Sequence, residues 1–486
     1  MGGTAVFVPD EEAARLLERW LEATDLRLVR DVWPGWAPAG IGFGLVLPHA
    51  GGTVLRGLVH QPGQAVAARG SGSLPGLSHV EPERGERLGL GAGDAAAGPI
   101  CFASLDGQDI VLWTGTGQDT PGLARAILAA AFARWWTQSL PEGVLEASWG
   151  VDGAPASVED VALGTLEGRL LADALGARGS RAADDAALRR WALQLALLRR
   201  ERRADWSEER LEGERCLEVL LGIPEYIGRR AARTLDPHWE DRGIEDLGRL
   251  GAQTRCRLGG ALLAELLDQL DGLGLEPAGP VRERTWVERP GRRLPWRDAL
   301  RQDPAAGLDP LLERFVRFDG GSRDDAALAA ALGQHGHAGL LEEERQRQRA
   351  AAGARESLLR QILQGPGTLL ALDVSALGEP AIQCAEAPQP INSALAIYPR
   401  GATFVYGGGT RLDCAGQPVA RDVRGGLVQV RIGAELRLHG DGAAVPAGAG
   451  FAFTQGLSLR AGGVRLQARR GKLMPIDGGW LVHLEA

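Results

Sequence analysis

Apolar positions recur in three rhythms along the chain, and the rhythm changes near residues 119 and 366. Residues 10–24 set Ala14, Leu16, Leu17, Trp20 and Leu21 on one face behind Asp10, Glu11 and Glu12. This predicts an amphipathic helix with acidic residues at its positive end. From 27 to 118 the apolar runs shorten to 41–47, 53–59, 100–105 and 109–113, parted by Gly, Pro and Ser, which predicts strands. The last two flank Asp106-Gly107 and read as a hairpin, whereas 62–98, rich in Gly, Ser, Pro and Ala, reads as a long loop. Helical periodicity then fills 123–136 behind Pro121, 158–175, 184–203, 207–221, 247–273 and most of 324–364. Residues 342–349 read as a solvated charged face and 280–296 as a Pro/Arg-rich connector. Beyond Gly365-Pro366-Gly367, strands are predicted at 368–372, 395–398, 427–432, 435–438, 464–468 and 479–483, between Gly-rich turns. The expected class is α+β: a mixed N-terminal lobe with strands (1–118), a helical lobe (119–365) and a small C-terminal β domain (366–486).

Composition narrows the function classes. The 486 residues carry 54 basic and 62 acidic side chains, a net charge of −8, so a broad basic face for nucleic acid or an anionic membrane is not expected. Lys472 is the sole lysine; with 69 glycines alongside, the arginines read as compositional drift rather than as anion clamps. Five scattered cysteines (Cys101, Cys216, Cys256, Cys384, Cys414) make neither a disulfide framework nor a zinc knuckle, and suit buried thiols in a reducing compartment. The first residues lack the basic-then-apolar order of a signal peptide, and Val6 breaks the myristoylation pattern. The most apolar long window, 124–136, is interrupted by Arg125 and Arg134 and falls short of the ~20 residues a membrane span needs. A cytoplasmic protein is expected.

Several familiar constellations fail on inspection. Gly115-Thr-Gly117 follows a strand, but Thr120 stands where the third glycine of a dinucleotide turn belongs, and Asp119 would oppose a pyrophosphate. No Gly-x-Ser-x-Gly elbow or lysine-bearing phosphate loop occurs, and Ser71 and Ser73 sit in a flexible Gly/Ser run. His335 and His337 with Glu342 have a poor spacing for a helical metal triad and read as a surface loop; His238 reads as a turn. Glu214, Glu218 and Glu225 share helical spacing and read as a solvated stripe. The tryptophans, including Trp33, Trp36, Trp135 and Trp136, read as core.

One set of segments resembles a known family. The 128–133 stretch, Leu-Ala-Ala-Ala-Phe-Ala, resembles the active-site helix of gluzincin-type bacterial zinc metallopeptidase-like proteins, which reads His-Glu-Ala-Phe-His. The 214–228 stretch, ending Gly-Ile-Pro-Glu-Tyr-Ile-Gly, resembles their second helix. Val32-Trp-Pro-Gly-Trp36 and the Glu-Gly-Arg helix at 166–175 are similar to further pieces of that family, in the same order. The resemblance implies histidine ligands at Ala129 and Ala133, a general base at Ala130 and a glutamate ligand at Leu221, none of which can donate a lone pair to zinc. Glu225 and Tyr226 are what remains of the second motif, and Phe132 keeps its packing role.

The expectation is therefore a metallopeptidase-like protein without metal, cofactor or catalysis, binding a peptide or protein partner in a remnant cleft lined by Ala129, Ala130, Ala133, Leu221, Glu225 and Tyr226. Two alternatives stay open: a metal-independent hydrolase using carboxylates of the helical lobe, and a structural or scaffold protein. An unrelated α-rich fold would show the same Ala/Leu/Phe/Trp content at 119–136.

Overall fold

The computed structural model describes residues 33–36, 42–48, 55–60, 77–80, 100–105, 108–113, 120–147, 157–176, 185–236, 239, 244–272, 295–384, 386, 388–433, 437–440, 443–444 and 450–485. The helix expected at 10–24, Ser71, Ser73, the 115–119 turn and His238 lie outside them. The chain forms two compact units, Met1–Leu341 and Glu342–Ala486. The class is α+β.

The first unit opens with a five-stranded sheet in the spatial order Leu77–Val80, Leu55–His60, Gly42–Pro48, Gln108–Trp113, Ile100–Leu105. The last two strands form the expected antiparallel hairpin, and Gly42–Pro48 runs parallel to Gln108–Trp113. The strand Leu77–Val80 falls inside the stretch expected to be a long loop. Its four residues gain their order by pairing with Leu55–His60, a contact that local composition does not report.

Among the described residues, ten α-helices follow in this unit: α1 (Thr120–Ser139), α2 (Glu142–Ala147), α3 (Val158–Gly176), α4 (Asp185–Arg202), α5 (Glu208–Leu217), α6 (Ile223–Leu235), α7 (Ala252–Gly272), α8 (Trp296–Gln302), α9 (Asp309–Glu313) and α10 (Ser322–Gln334). Helix α11 (His337–Gln364) carries the chain into the second unit. Ser157 and Ser207 accept from the amides of Asp160 and Arg210, capping α3 and α5, with acidic residues in both first turns. A π-helical turn, Glu218–Gly222, joins α5 to α6. Pro224 explains it: proline has no amide to give and its ring crowds the carbonyl four residues back, so the helix widens there instead of breaking.

Glycines bring the helices close. A Cβ on Gly164 would stand 2.9 Å from the Gly248 Cα, and one on Gly222 would stand 2.8 Å from the Gly260 Cα. The core holds an aromatic cluster in which Trp33 meets Phe132, Trp136 and Trp296 edge-on at centroid distances of 5.3–5.7 Å. Trp33, Trp36 and Trp136 are buried, as the sequence led one to expect, whereas Trp135 is only half-buried against the edge of the core.

Among its described residues the second unit contains two β-sheets. One is eight-stranded, in the order Phe451–Phe453, Gly471–Ile476, Gly479–Leu484, Thr368–Asp373, Leu427–Ile432, Val419–Asp422, Leu395–Tyr398, Gln389–Pro390. The other is seven-stranded, from Ala443–Ala444 through Arg437–Gly440, Leu457–Ala461, Val464–Ala468, Arg411–Cys414 and Ala402–Val405 to Ala381–Cys384. Strict alternation puts Val428, Val430 and Ile432 inward from one sheet and Val464, Leu466 and Ala468 from the other, into a shared core. Cys384 departs from the expectation of buried thiols: it lies exposed on the strand at the edge of the seven-stranded sheet, whereas Cys216, Cys256 and Cys414 are buried.

Candidate functional site: a polar cavity and a buried ionic network

Helices α1 and α6 lie side by side and antiparallel. Arg125 pairs with Glu225, Ala129 faces Gly228, and the Trp136 indole donates to the Val219 carbonyl at 3.0 Å. The absence of a side chain at Gly228 allows this closeness. A Cβ there would stand 3.0 Å from the Ala129 Cβ and inside van der Waals contact with the Arg125 carbonyl. Ala130 packs against the hydrophobic core, and Ala133 and Leu221 are partly buried. Of the six residues named from the family resemblance, Tyr226 lines a cavity of about 620 Å³; the other five line neither that cavity nor the smaller one described below.

This cavity is built by α6, α7 and the start of α8. Asp268 is its centre. It accepts from Arg297 at 2.6 Å, from the Trp296 indole at 2.8 Å, from Arg230 at 3.0 Å and from the Tyr226 hydroxyl. The Tyr226 oxygen in turn accepts from Arg297 at 2.7 Å and Arg230 at 3.1 Å. Burial and the neighbouring Asp268 push the Tyr226 hydroxyl well above its ordinary pKa, so it stays protonated. Glu265 accepts from Arg229 at 2.7 Å and from Arg233, and Asp271 accepts from the Trp296 amide at 3.2 Å. The lining thus sets Arg230, Arg233 and Arg297 against Glu265, Asp268 and Asp271, with the Tyr226 and Trp296 rings between them.

The helical unit also encloses a denser ionic network. Arg199, Arg202 and Arg203 project from one face of the end of α4 at i, i+3, i+4 spacing. Arg199 donates to Glu218 at 2.7 and 2.8 Å, to Asp309 at 2.6 Å and to Glu167. Arg202 meets Glu214 at 3.0 Å, Glu167 at 3.1 Å and Asp160 at 3.3 Å. Arg203 meets Glu214 at 2.7 Å, Glu218 at 3.3 Å and Asp309. Arg210 and Arg255 reach Asp160 at 2.9 and 3.4 Å. Five guanidinium groups therefore face five carboxylates, most of them fully buried.

Two readings of the sequence are corrected here. Glu214, Glu218 and Glu225 are not a solvated stripe; all three are buried and held by arginine. Nor are the α4 arginines compositional drift alone, since they clamp carboxylates from four other segments. His335 and His337 also depart from the surface-loop reading. His335 ends α10, His337 begins α11, and both rings are partly buried, which lowers their pKa values. Among the described residues, no group of three or more His, Cys, Asp or Glu side chains comes together in a way that would hold a metal ion. Among them, too, no helix is long and apolar enough to cross a membrane.

The network divides its carboxylates. Burial alone would raise Glu167, Glu214, Glu218 and Asp309, but the surrounding arginines overcome it at Glu167, Glu214 and Asp309, which are held below the ordinary carboxylate range. At Glu218 burial wins and its carboxyl is pushed up, against the pull of Arg199 and Arg203. A group whose folded pKa is depressed stabilises the fold above its unfolded value and loses that contribution as pH falls through the folded one. A raised carboxyl acts in the opposite sense. Three against one, the sum favours neutral pH. The urea midpoint is expected to climb as pH rises from about 2 to about 5, the window set by ordinary unfolded carboxylates. A flat midpoint across that window would contradict the network's ionisation.

The residues that make both features carry little local signal. Asp268, Arg230 and Arg297 come from three helices and are not marked by any motif; the helical spacings of Arg199, Arg202 and Arg203 and of Glu214 and Glu218 were open to reading, but not their burial. Comparison with protein-family models, with curated proteins and with solved structures gives no match.

Proposed function

We propose that this chain is a non-catalytic, metallopeptidase-like binding protein whose peptide or protein partner is taken up in the cavity around Tyr226 and Asp268. The observation that carries the reading is that every carboxylate on the cavity wall already accepts hydrogen bonds from arginine, tryptophan or tyrosine. A carboxylate whose lone pairs are engaged in this way is a poor base. The raised Tyr226 hydroxyl is likewise no nucleophile at neutral pH. What the wall offers is recognition: charges of both signs in equal number, which suit the amides and mixed side chains of a peptide better than a polyanion. The same engagement of the network carboxylates favours binding over the metal-independent hydrolase; the Glu218 side chain, raised as it is, is only 3% exposed.

Screening the purified chain against an array of short peptides tests this. Selected peptides are expected to bind, and Tyr226→Phe, which removes the hydroxyl shared by Asp268, Arg230 and Arg297, is expected to weaken them about tenfold with the fold intact. No peptide binding by the wild type, or stoichiometric zinc with peptide hydrolysis, would overturn the reading.

A further inference from the structure

A second cavity, of about 230 Å³, borders the ionic network between α4, α5 and α9. Its wall combines the apolar side chains of Ala196, Leu211 and Leu312 with Arg199, Arg203 and Asp309 of the network. The exposed pair Arg200–Glu313, joined at 2.7 Å, also lines it. Arg215 completes the lining and differs from every other arginine there. Arg199 and Arg203 are spent on Glu167, Glu214, Glu218 and Asp309, and Arg200 on Glu313. The Arg215 guanidinium has no carboxylate partner among the described residues, and its Nε is buried without a hydrogen bond. The side chain is nevertheless held in place. Its stem lies across Gly307, where a Cβ would stand 3.3 Å from the Arg215 Cβ.

Charge counting sharpens the point. The five network arginines are matched by five carboxylates and Arg200 by Glu313, so Arg215 leaves the cavity with one uncompensated positive charge. A buried donor left unsatisfied is costly, and a guanidinium fork matches a carboxylate in two parallel hydrogen bonds. Asp309 does not oppose an incoming anion strongly, because it already accepts from both Arg199 and Arg203. The volume equals that of about eight water molecules, enough for a small molecule only. The leucines favour an aliphatic body over a fully hydrated inorganic ion.

We propose that this cavity binds a small aliphatic monocarboxylate, its carboxylate held by Arg215 and its hydrocarbon part by Leu211 and Leu312. The inference goes beyond the peptide-binding reading and stands on different residues, so either can fail alone.

Calorimetric titration with isovalerate, the corresponding uncharged alcohol and inorganic phosphate tests it. Isovalerate is expected to bind one per chain at millimolar affinity or tighter, the alcohol far more weakly, and phosphate more weakly than isovalerate. Arg215→Met keeps the stem over Gly307 and removes the charge; it is expected to lose isovalerate binding by about tenfold or more. Arg215→Lys, which keeps the charge without the fork, is expected to retain part of it. The unfolding midpoints without ligand serve as the check that both variants fold. No saturable isovalerate binding by the wild type, equal binding by Arg215→Met, or tighter binding of phosphate would each overturn the assignment.

Discussion

Replacing Arg199 by methionine is expected to destabilise the first unit by about 3–5 kcal/mol, measured by urea denaturation of the full chain. Arg199 is the hub of the network, donating to Glu167, Glu218 and Asp309 from a side chain that is 2% exposed. Methionine fills much of the volume but leaves those buried carboxylates short of a cation, and an uncompensated buried charge costs more than the lost attraction. Arg200→Met is the control one residue away. Arg200 and Glu313 are 51% and 37% exposed, so solvent already screens the pair and the loss is expected to stay below about 1 kcal/mol. Equal effects at the two positions would mean that the network contributes no more than a surface ion pair.

Gly228→Leu should cost about 3 kcal/mol, near the upper end for overpacking a filled site, because both neighbours of the new Cβ are hard to move. One is the Arg125 carbonyl, backbone in the second turn of α1; the other is the Ala129 methyl. Separating α1 from α6 would also strain the Arg125–Glu225 pair and the Trp136 hydrogen bond to Val219. Gly333→Ala, in a helix position with open space around it, is expected to be neutral or stabilising by up to about 1 kcal/mol in the same assay. If Gly228→Leu unfolds at the wild-type midpoint, the close seam between the two helices is wrong.

Neither position announces itself in the sequence. Arg199 sits in a run of arginines, Arg199-Arg200-Glu201-Arg202-Arg203, within a composition where nearly every basic residue is arginine. Its i, i+3, i+4 geometry says only that three guanidiniums share a face, not whether that face meets water or carboxylates. Glu214 and Glu218 pose the same ambiguity from the other side. Their spacing fits a solvated stripe and a buried ladder equally well, and burial against α4 decides it. Gly228 ends a motif-like segment, but its use as a close-approach point depends on Ala129, roughly a hundred residues earlier. The cavity around Asp268 gathers groups from α6, α7 and α8, and only Tyr226 among them was singled out beforehand.

Local patterning by itself determined a good deal. It set the helices at 123–136, 158–175, 184–203, 247–273 and most of 324–364, the hairpin at 100–113, the strands 395–398, 427–432 and 464–468 to the residue, the burial of Trp33, Trp36 and Trp136 and the α+β class, because periodicity of 3.6 or 2 records which side of an element is apolar. The short helices Glu142–Ala147, Trp296–Gln302 and Asp309–Glu313 carried too few turns to show it. Tertiary structure alone decided which charged side chains are buried, which glycines are contact points, which arginine is left without a carboxylate, and that residues 77–80 pair as a strand. Ionic pairing and close helix contact are made between distant segments. Their energies depend on distance and solvent exclusion, and neither quantity is written in the spacing of residues along one helix.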